Sequence, residues 1–311
     1  MKDISEQEED KTNVVKAEKK VGGLKILLIF IALILCAAVA SAAWLYTGGP
    51  SETKEKVFRV LPIPVALVGN KPISQAEYFK RLDAAEKYYS QSPEGAPKDI
   101  KKQVMDSIIG EFKLKLLAEQ KGFSVTGQEI DAQYANMVKD MAGGDEKQLE
   151  TMISQYGMDK EDFKKQVISS DLLRVKLAVW FNEQRDLNQP AYKIIDEAQS
   201  QLNEGKNLES LAKQYSQDEA SSQLEGDVGF VEESQLLPEF QKALDGIDDG
   251  KTALVVSRFG LHMLKVQARD NNGTNGTNRV HLKQIFVKAE DPTNWYNSQV
   301  DKIKTRTLIK I

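Results

Sequence analysis

Side chains able to do chemistry are few in this sequence. His262 and His281 are its only histidines and Cys36 its only cysteine. One cysteine excludes a disulfide framework and a four-cysteine zinc site, and two histidines leave little for histidine-rich metal chemistry. No metal or cofactor is expected. Lys and Arg number 42 against 46 Asp and Glu, a net charge of −4, so no basic field invites nucleic acid. His262 stands in the alternating run GLHMLKV and shares a face with Leu264 and Val266, where a hydrogen-bonded core histidine is the default reading. Asp218 follows Ser216-Gln217 and reads as a turn residue bonding nearby backbone. Asn272 and Asn275 each open an Asn-Gly-Thr triplet, which matches a glycosylation acceptor but reads better as linker.

The elements that must position these residues fall into segments. A chain of 311 residues, 41% hydrophobic and 28% charged, suggests two modest folded domains. Residues 24–46 (LKILLIFIALILCAAVASAAWLY) are apolar over enough length to span a hydrocarbon core of about 30 Å. Trp44 and Tyr46 close the run, as interfacial aromatics do, and lysines crowd its near side. The expectation is a single-pass anchor in the cell membrane. Residues 1–23 would form a cytoplasmic tail, and the bulk of the chain would be extracytoplasmic. The rival is a cleaved signal peptide, favoured by the small residues around Ala40, Ala42 and Ala43. Cys36 reads as membrane-buried rather than lipid-bearing, because Leu35 precedes it where a small residue would be expected.

Residues 47–63 form a spacer, and residues 64–188 then read as helical. A short strand at 65–68 and a Gly69-Asn70 turn lead to Ser74-Gln75-Ala76-Glu77, a capping box that should open a helix. Helical periodicity runs over 99–121, Thr126–Glu129 is a second capping box, and helices at 147–155 and 159–185 follow. From 189 the pattern becomes mixed. Helices at 191–204 and 207–215 precede a Gly, Ser and Asp cluster and short strands at 253–256 and 261–266, which argues for a small α+β module.

Two runs of phrases carry family resemblances. ALVGNKPISQAEY, VMDSIIGEFKLKLLAEQKGFSVTGQEIDAQY and ISQYGMDKEDFKKQV resemble, in order, the SurA-type N-terminal chaperone domain. That likeness implies a helical cradle that holds unfolded polypeptide. NLESLAKQYSQDEASSQLEGDVGFVEESQLLPEFQKAL followed by VVSRFGLHMLKV resembles the parvulin (PpiC-type) peptidyl-prolyl isomerase domain. Rotation about an X–Pro bond crosses a barrier of about 18–20 kcal/mol without making or breaking a bond. Such a site needs no nucleophile, only a cup that favours the twisted amide over the planar one. The resemblance places Val228, Leu236, Phe240 and Phe259 around the proline cup, with Asp218 and His262 near the rotating bond.

One departure stands out. A parvulin domain opens on a strand that carries a histidine, whereas residues 182–199 hold neither a strand pattern nor a histidine. A strand of the right kind, RVHLKQIFVK, lies instead at 279–288, and alignment puts Gln284 at the histidine position. Either the domain, residues 189–290, is circularly permuted with 279–287 as its displaced first strand, or residues 279–311 are the stump of another repeat. Permutation is preferred, because an incomplete sheet would leave an open edge. Residues 291–311 read as a C-terminal tail. The expected protein is a membrane-anchored folding factor acting on polypeptide clients that contain X–Pro bonds. Alternatives are a chaperone whose isomerase domain is silent and a structural subunit of an envelope complex.

Overall fold

The structure, a computed structural model, describes residues 31–32, 34–47, 49, 51–93, 95–270 and 277–309. The expected cytoplasmic tail, residues 24–30 and 33 of the expected span and most of the Asn-Gly-Thr linker lie outside the described residues. Among the described residues no helix is long and apolar enough to cross a membrane.

Contacts divide the chain into two compact units. One takes in the described residues up to Asp83, Pro97–Met105 and the stretch from Thr305. Helices α1 (residues 34–46) and α2 (Glu52–Val60) precede a hairpin of β1 (Pro64–Val68) and β2 (Lys71–Ser74). Ser74 accepts the Glu77 backbone N–H and opens α3 (Gln75–Ser90), as its capping pattern requires.

The second unit begins with the helical region. Helix α4 (Ile100–Gln120) crosses from one unit to the other. Helix α5 (Gly127–Ala142) starts at a reciprocal Thr126–Glu129 capping box and ends on left-handed Gly143. After α6 (Glu146–Ser154), the helix expected at 159–185 forms as α7 (Lys160–Phe163), a π-helical turn at Lys164–Ile168 and α8 (Ser169–Glu183). Nothing in the local sequence explains the π turn.

The rest of this unit is α+β. Helices α9 (Gln189–Asn203), α10 (Leu208–Tyr215) and α11 (Glu219–Gln223) lead to β3 (Asp227–Glu232). Then come α12 (Pro238–Leu244), begun by proline in its first turn, β4 (Thr252–Ser257), β5 (Gly260–Asp270) and β6 (Arg279–Lys288). The sheet is antiparallel in the order β3-β6-β5-β4, so the last of its strands in sequence is an inner one. Period-two alternation sends its apolar side chains to two cores. Leu261, Met263, Ile285 and Val287 pack with Ile195, Leu208 and Leu211 of α9 and α10. Leu264, Val266, Val280 and Leu282 face the other way, toward Phe240, Leu244 and Ile247 of the α12 segment.

Residues 291–311, expected only as a tail, are structured over most of their length. Helix α13 (Thr293–Val300) buries Val300 among Leu114, Leu117, Leu173 and Leu177, and sets Trp295 against Trp180 and Phe181 at ring distances of 5.2 and 5.4 Å. In the first unit, β7 (Thr305–Thr307) pairs with β1 to complete a sheet ordered β2-β1-β7.

Candidate active site

Strand register builds the site. His262 on β5 is paired across the sheet with Phe286 on β6, and Leu264 with Gln284. His262 is 6% exposed. Its ring meets the edge of Phe240 at 4.8 Å and lies tilted over Phe286 at 4.7 Å. Leu236 packs into the same apolar group around Phe240 and Leu264. These residues form an apolar cluster packed around the imidazole.

The polar side of this cluster is one chain of hydrogen bonds. Gln284 Nε2 donates to Asp218 Oδ2 at 2.9 Å, and Ser221 Oγ donates to the same oxygen. A carboxylate oxygen only accepts, so Gln284 must turn its amide nitrogen to Asp218 and its Oε1 to His262. His262 Nδ1 lies 3.1 Å from that Oε1 and must carry the ring proton. Nε2 is therefore the acceptor, 2.8 Å from Ser257 Oγ. Ser257 Oγ in turn accepts the Phe259 backbone N–H at 3.1 Å. Burial pushes the His262 pKa down to about 4, against the smaller upward pulls of Gln284 and Asp218. The imidazole is neutral at physiological pH.

Close backbone approach holds the strands in place. The Gln284 N–H donates to the Gly226 carbonyl at 2.8 Å, and a Cβ on Gly226 would stand 2.7 Å from the Gln284 carbonyl oxygen. Ser216 and Gln217 continue the pairing, through Phe286 N–H to Ser216 Oγ and Gln217 N–H to the Phe286 carbonyl. The loop that carries Asp218 is thus laced along β6. Asn182 of α8 donates from Nδ2 to the Ser257 carbonyl at 2.8 Å, which ties the helical region to the end of β4.

Of the residues singled out from sequence, Asp218, His262, Gln284, Leu236 and Phe240 come together. Phe259 touches the cluster through its backbone, while its side chain is 53% exposed. Val228 is 41% exposed and bulges from β3 between the pairs Asp227–Lys283 and Gly229–Leu282. His281 faces Asp227, at 2.8 Å, and the Phe230 ring, at 4.9 Å. Ser257 and Ser221 were not legible beforehand. A serine beside a turn carries no mark of the partner that folding will bring to it. Among the described residues no three His, Cys, Asp or Glu side chains are grouped to hold a metal ion.

An α+β domain with helices on both faces of its sheet and this polar chain, joined to a helical region, matches two family profiles. Residues 13–178 match the SurA-like N-terminal domain, more than half of the chain, and the protein belongs to that family. Residues 174–268 match the PPIC-type PPIASE domain. The chain is similar to the foldase protein PrsA of Staphylococcus aureus strain Newman, with 25% identity over 193 residues, 53% of this chain and 60% of that protein. The match thus spans under two thirds of that relative's length. Two solved structures are also similar. One is the peptidylprolyl isomerase PrsA of Bacillus anthracis, at 20% identity and TM-score 0.20, covering 64% of this chain and 86% of that one. The other is the foldase protein PrsA of Streptococcus pneumoniae, at 17% identity and TM-score 0.25, covering 69% and 79%.

Proposed function

We propose that the protein is a membrane-anchored, extracytoplasmic folding factor, a peptidyl-prolyl cis–trans isomerase that also holds unfolded polypeptide clients. The observation that carries this is the apolar group of Leu236, Phe240 and Phe286 beside the Ser257–His262–Gln284–Asp218 chain, which we read as the wall of a proline cup. A proline ring seated on Phe240 and Phe286 leaves its peptide bond beside the polar chain. Rotation about that bond breaks amide resonance and shifts charge between its oxygen and nitrogen. Dipoles already fixed by hydrogen bonds stabilise the twisted amide without reorganising. His262 acts as a neutral, oriented group and moves no proton. Asp218, Gln284 and His262 are the proposed catalytic residues, and Leu236, Phe240, Val228 and Phe259 the proposed substrate-binding ones.

The site lacks the second histidine that the parvulin likeness implies, and Gln284 stands in its place. Its amide both donates and accepts, so the polar network stays closed. The proposed topology keeps the first strand of the isomerase domain at 279–287 by circular permutation, a reading supported by the pairing of β6 with both β3 and β5. The proposed anchor is the apolar run 24–46, with lysines on its cytoplasmic side.

A protease-coupled prolyl assay on residues 48–311 tests the isomerase. Turnover that is lost in a folded Phe240→Ala variant supports the reading, and absence of turnover leaves a binding module only. Suppression of aggregation of an unfolded client tests the holding activity. Protease added to spheroplasts should digest the portion beyond residue 47, and protection of that portion would reverse the orientation.

A further inference from the structure

A buried side chain of the helical region, Asn182, reaches the backbone of the proposed site. Leu173 and Leu177 of α8 pack in the helical core with Leu114, Leu117 and Val300, and Phe181 lies against Trp295. Asn182 follows in the last turn of α8 and is 2% exposed. Asparagine is a poor helix former, because its amide competes for nearby backbone groups. This one instead sends Nδ2 to the carbonyl of Ser257, 75 residues away, at 2.8 Å. A carbonyl only accepts, so the amide nitrogen must face it.

Ser257 is fully buried and is the last residue of β4, an edge strand of the sheet, paired with Gly260 across the turn. Its carbonyl accepts from Asn182, and its Oγ accepts the Phe259 backbone N–H at 3.1 Å. That leaves the hydroxyl proton for Nε2 of His262, 2.8 Å away. Asn182 therefore holds the backbone from which this hydroxyl hangs. We infer that Asn182 is a positioning residue of the isomerase: through Ser257 it fixes the hydrogen bond that orients His262, so that the helical region sets the geometry of the prolyl site. This rests on the prolyl-isomerase reading and adds a residue to that same site. Asn188 makes the contrast. It too is fully buried beside the end of α8, donating from Nδ2 to the Phe181 and Gln184 carbonyls at 2.7 and 3.1 Å and accepting the Glu290 N–H at 3.0 Å. None of those partners belongs to the Ser257–His262–Gln284–Asp218 chain.

The test uses the full chain and a short prolyl peptide. Asn182→Ala should lower kcat roughly two- to tenfold, the worth of one hydrogen bond. KM should stay unchanged, because Leu236, Phe240 and Phe286 keep their places. The ring 15N signal of His262 Nε2 should move toward that of an unbonded nitrogen. Ser257→Ala keeps the carbonyl and removes the hydroxyl, so adding Asn182→Ala to it should cost no further kcat, whereas a general loosening would add. Asn188→Ala, which breaks its own hydrogen bonds beside the same helix end, should lower stability in urea with kcat and the Nε2 signal unchanged. Should Asn182→Ala not fold, Asn182→Ser, whose hydroxyl stops short of the Ser257 carbonyl, carries the same comparisons. A folded variant with wild-type kcat and Nε2 signal overturns the inference and leaves the isomerase standing. So does a loss that persists undiminished without the Ser257 hydroxyl, or an equal loss of kcat in Asn188→Ala. Absence of turnover in the wild type removes the isomerase reading and the inference with it.

Discussion

At the scale of single residues, Gln284 does the work of joining a carboxylate to an imidazole. Its two ends are chemically different, so the chain from Ser221 through Asp218 to His262 has one direction and selects one tautomer. Gln284→Leu keeps approximate volume but leaves the Nδ1–H of His262 without its acceptor and Asp218 without its donor. The expected cost is about 1–3 kcal/mol of stability, read in urea, together with reduced prolyl turnover. Gln284→His restores a group that donates and accepts, and should leave turnover equal or higher. The buried imidazole also makes a pH prediction. Its folded pKa, about 4, lies below that of an unfolded histidine, so between those values the unfolded chain binds a proton that the folded chain refuses. The stabilisation is complete above the unfolded pKa and is lost as pH falls toward 4. Comparing wild type with a folded His262→Gln variant isolates this term, of order 3 kcal/mol across the window, from the carboxylates common to both. A difference between the two that stays constant from pH 7 to 4.5 would contradict it.

At the scale of elements, β6 decides whether there is a domain at all. It is flanked on both sides in the sheet and places Ile285 and Val287 in one core and Val280 and Leu282 in the other. Truncation after Asp270 strips this inner strand, its ladder and Gln284, the link between Asp218 and His262. The expected result is loss of the cooperative transition of the α+β domain, visible as loss of near-UV circular dichroism. A smaller change probes the same pairing. Gly260 approaches β6 so closely that a Cβ would sit 2.2 Å from the Val287 carbonyl oxygen. Its φ of +153° also disfavours an L side chain. Gly260→Ala should cost more than about 1 kcal/mol in thermal or urea unfolding, against the small gain such a change gives at an unstrained position. The individual elements here were readable in the sequence. Thr126–Glu129 closes its capping box, the alternating run GLHMLKV is a strand, and the helix expected at 207–215 forms as α10. The π turn at Lys164–Ile168 was not, since the same apolar periodicity fits an unbroken helix over that span.

At the scale of the whole molecule, the chain leaves its helical region at Glu183, builds the sheet domain, and returns to the helical region after β6. Helix α13 is short and weakly patterned, yet Trp295 meets Trp180, Phe181 and, through them, Lys121, whose ammonium lies 4.1 Å from the centre of the Trp180 ring. Trp295→Ala should therefore cost roughly 1–3 kcal/mol in a urea titration followed by a helical signal. A free tail would show no change. It follows that a fragment of residues 64–188 alone lacks the covering that α13 provides, and should gain stability when residues 291–311 are supplied in the same chain. What the sequence by itself determined was everything that depends on neighbours a few residues apart: helix starts, strand alternation, the apolar run near the N-terminus, and the phrases that carry the family likeness. The family likeness also singled out Gln284, by aligning it where a parvulin strand carries histidine. Only the tertiary structure decided that Gln284 meets Asp218, 66 residues away, that Ser257 completes the chain, and that residues near the C-terminus pair with a strand at 64–68. Those partners are chosen by the register of strands and by which cores must be filled, and neither is written in the local pattern of either partner.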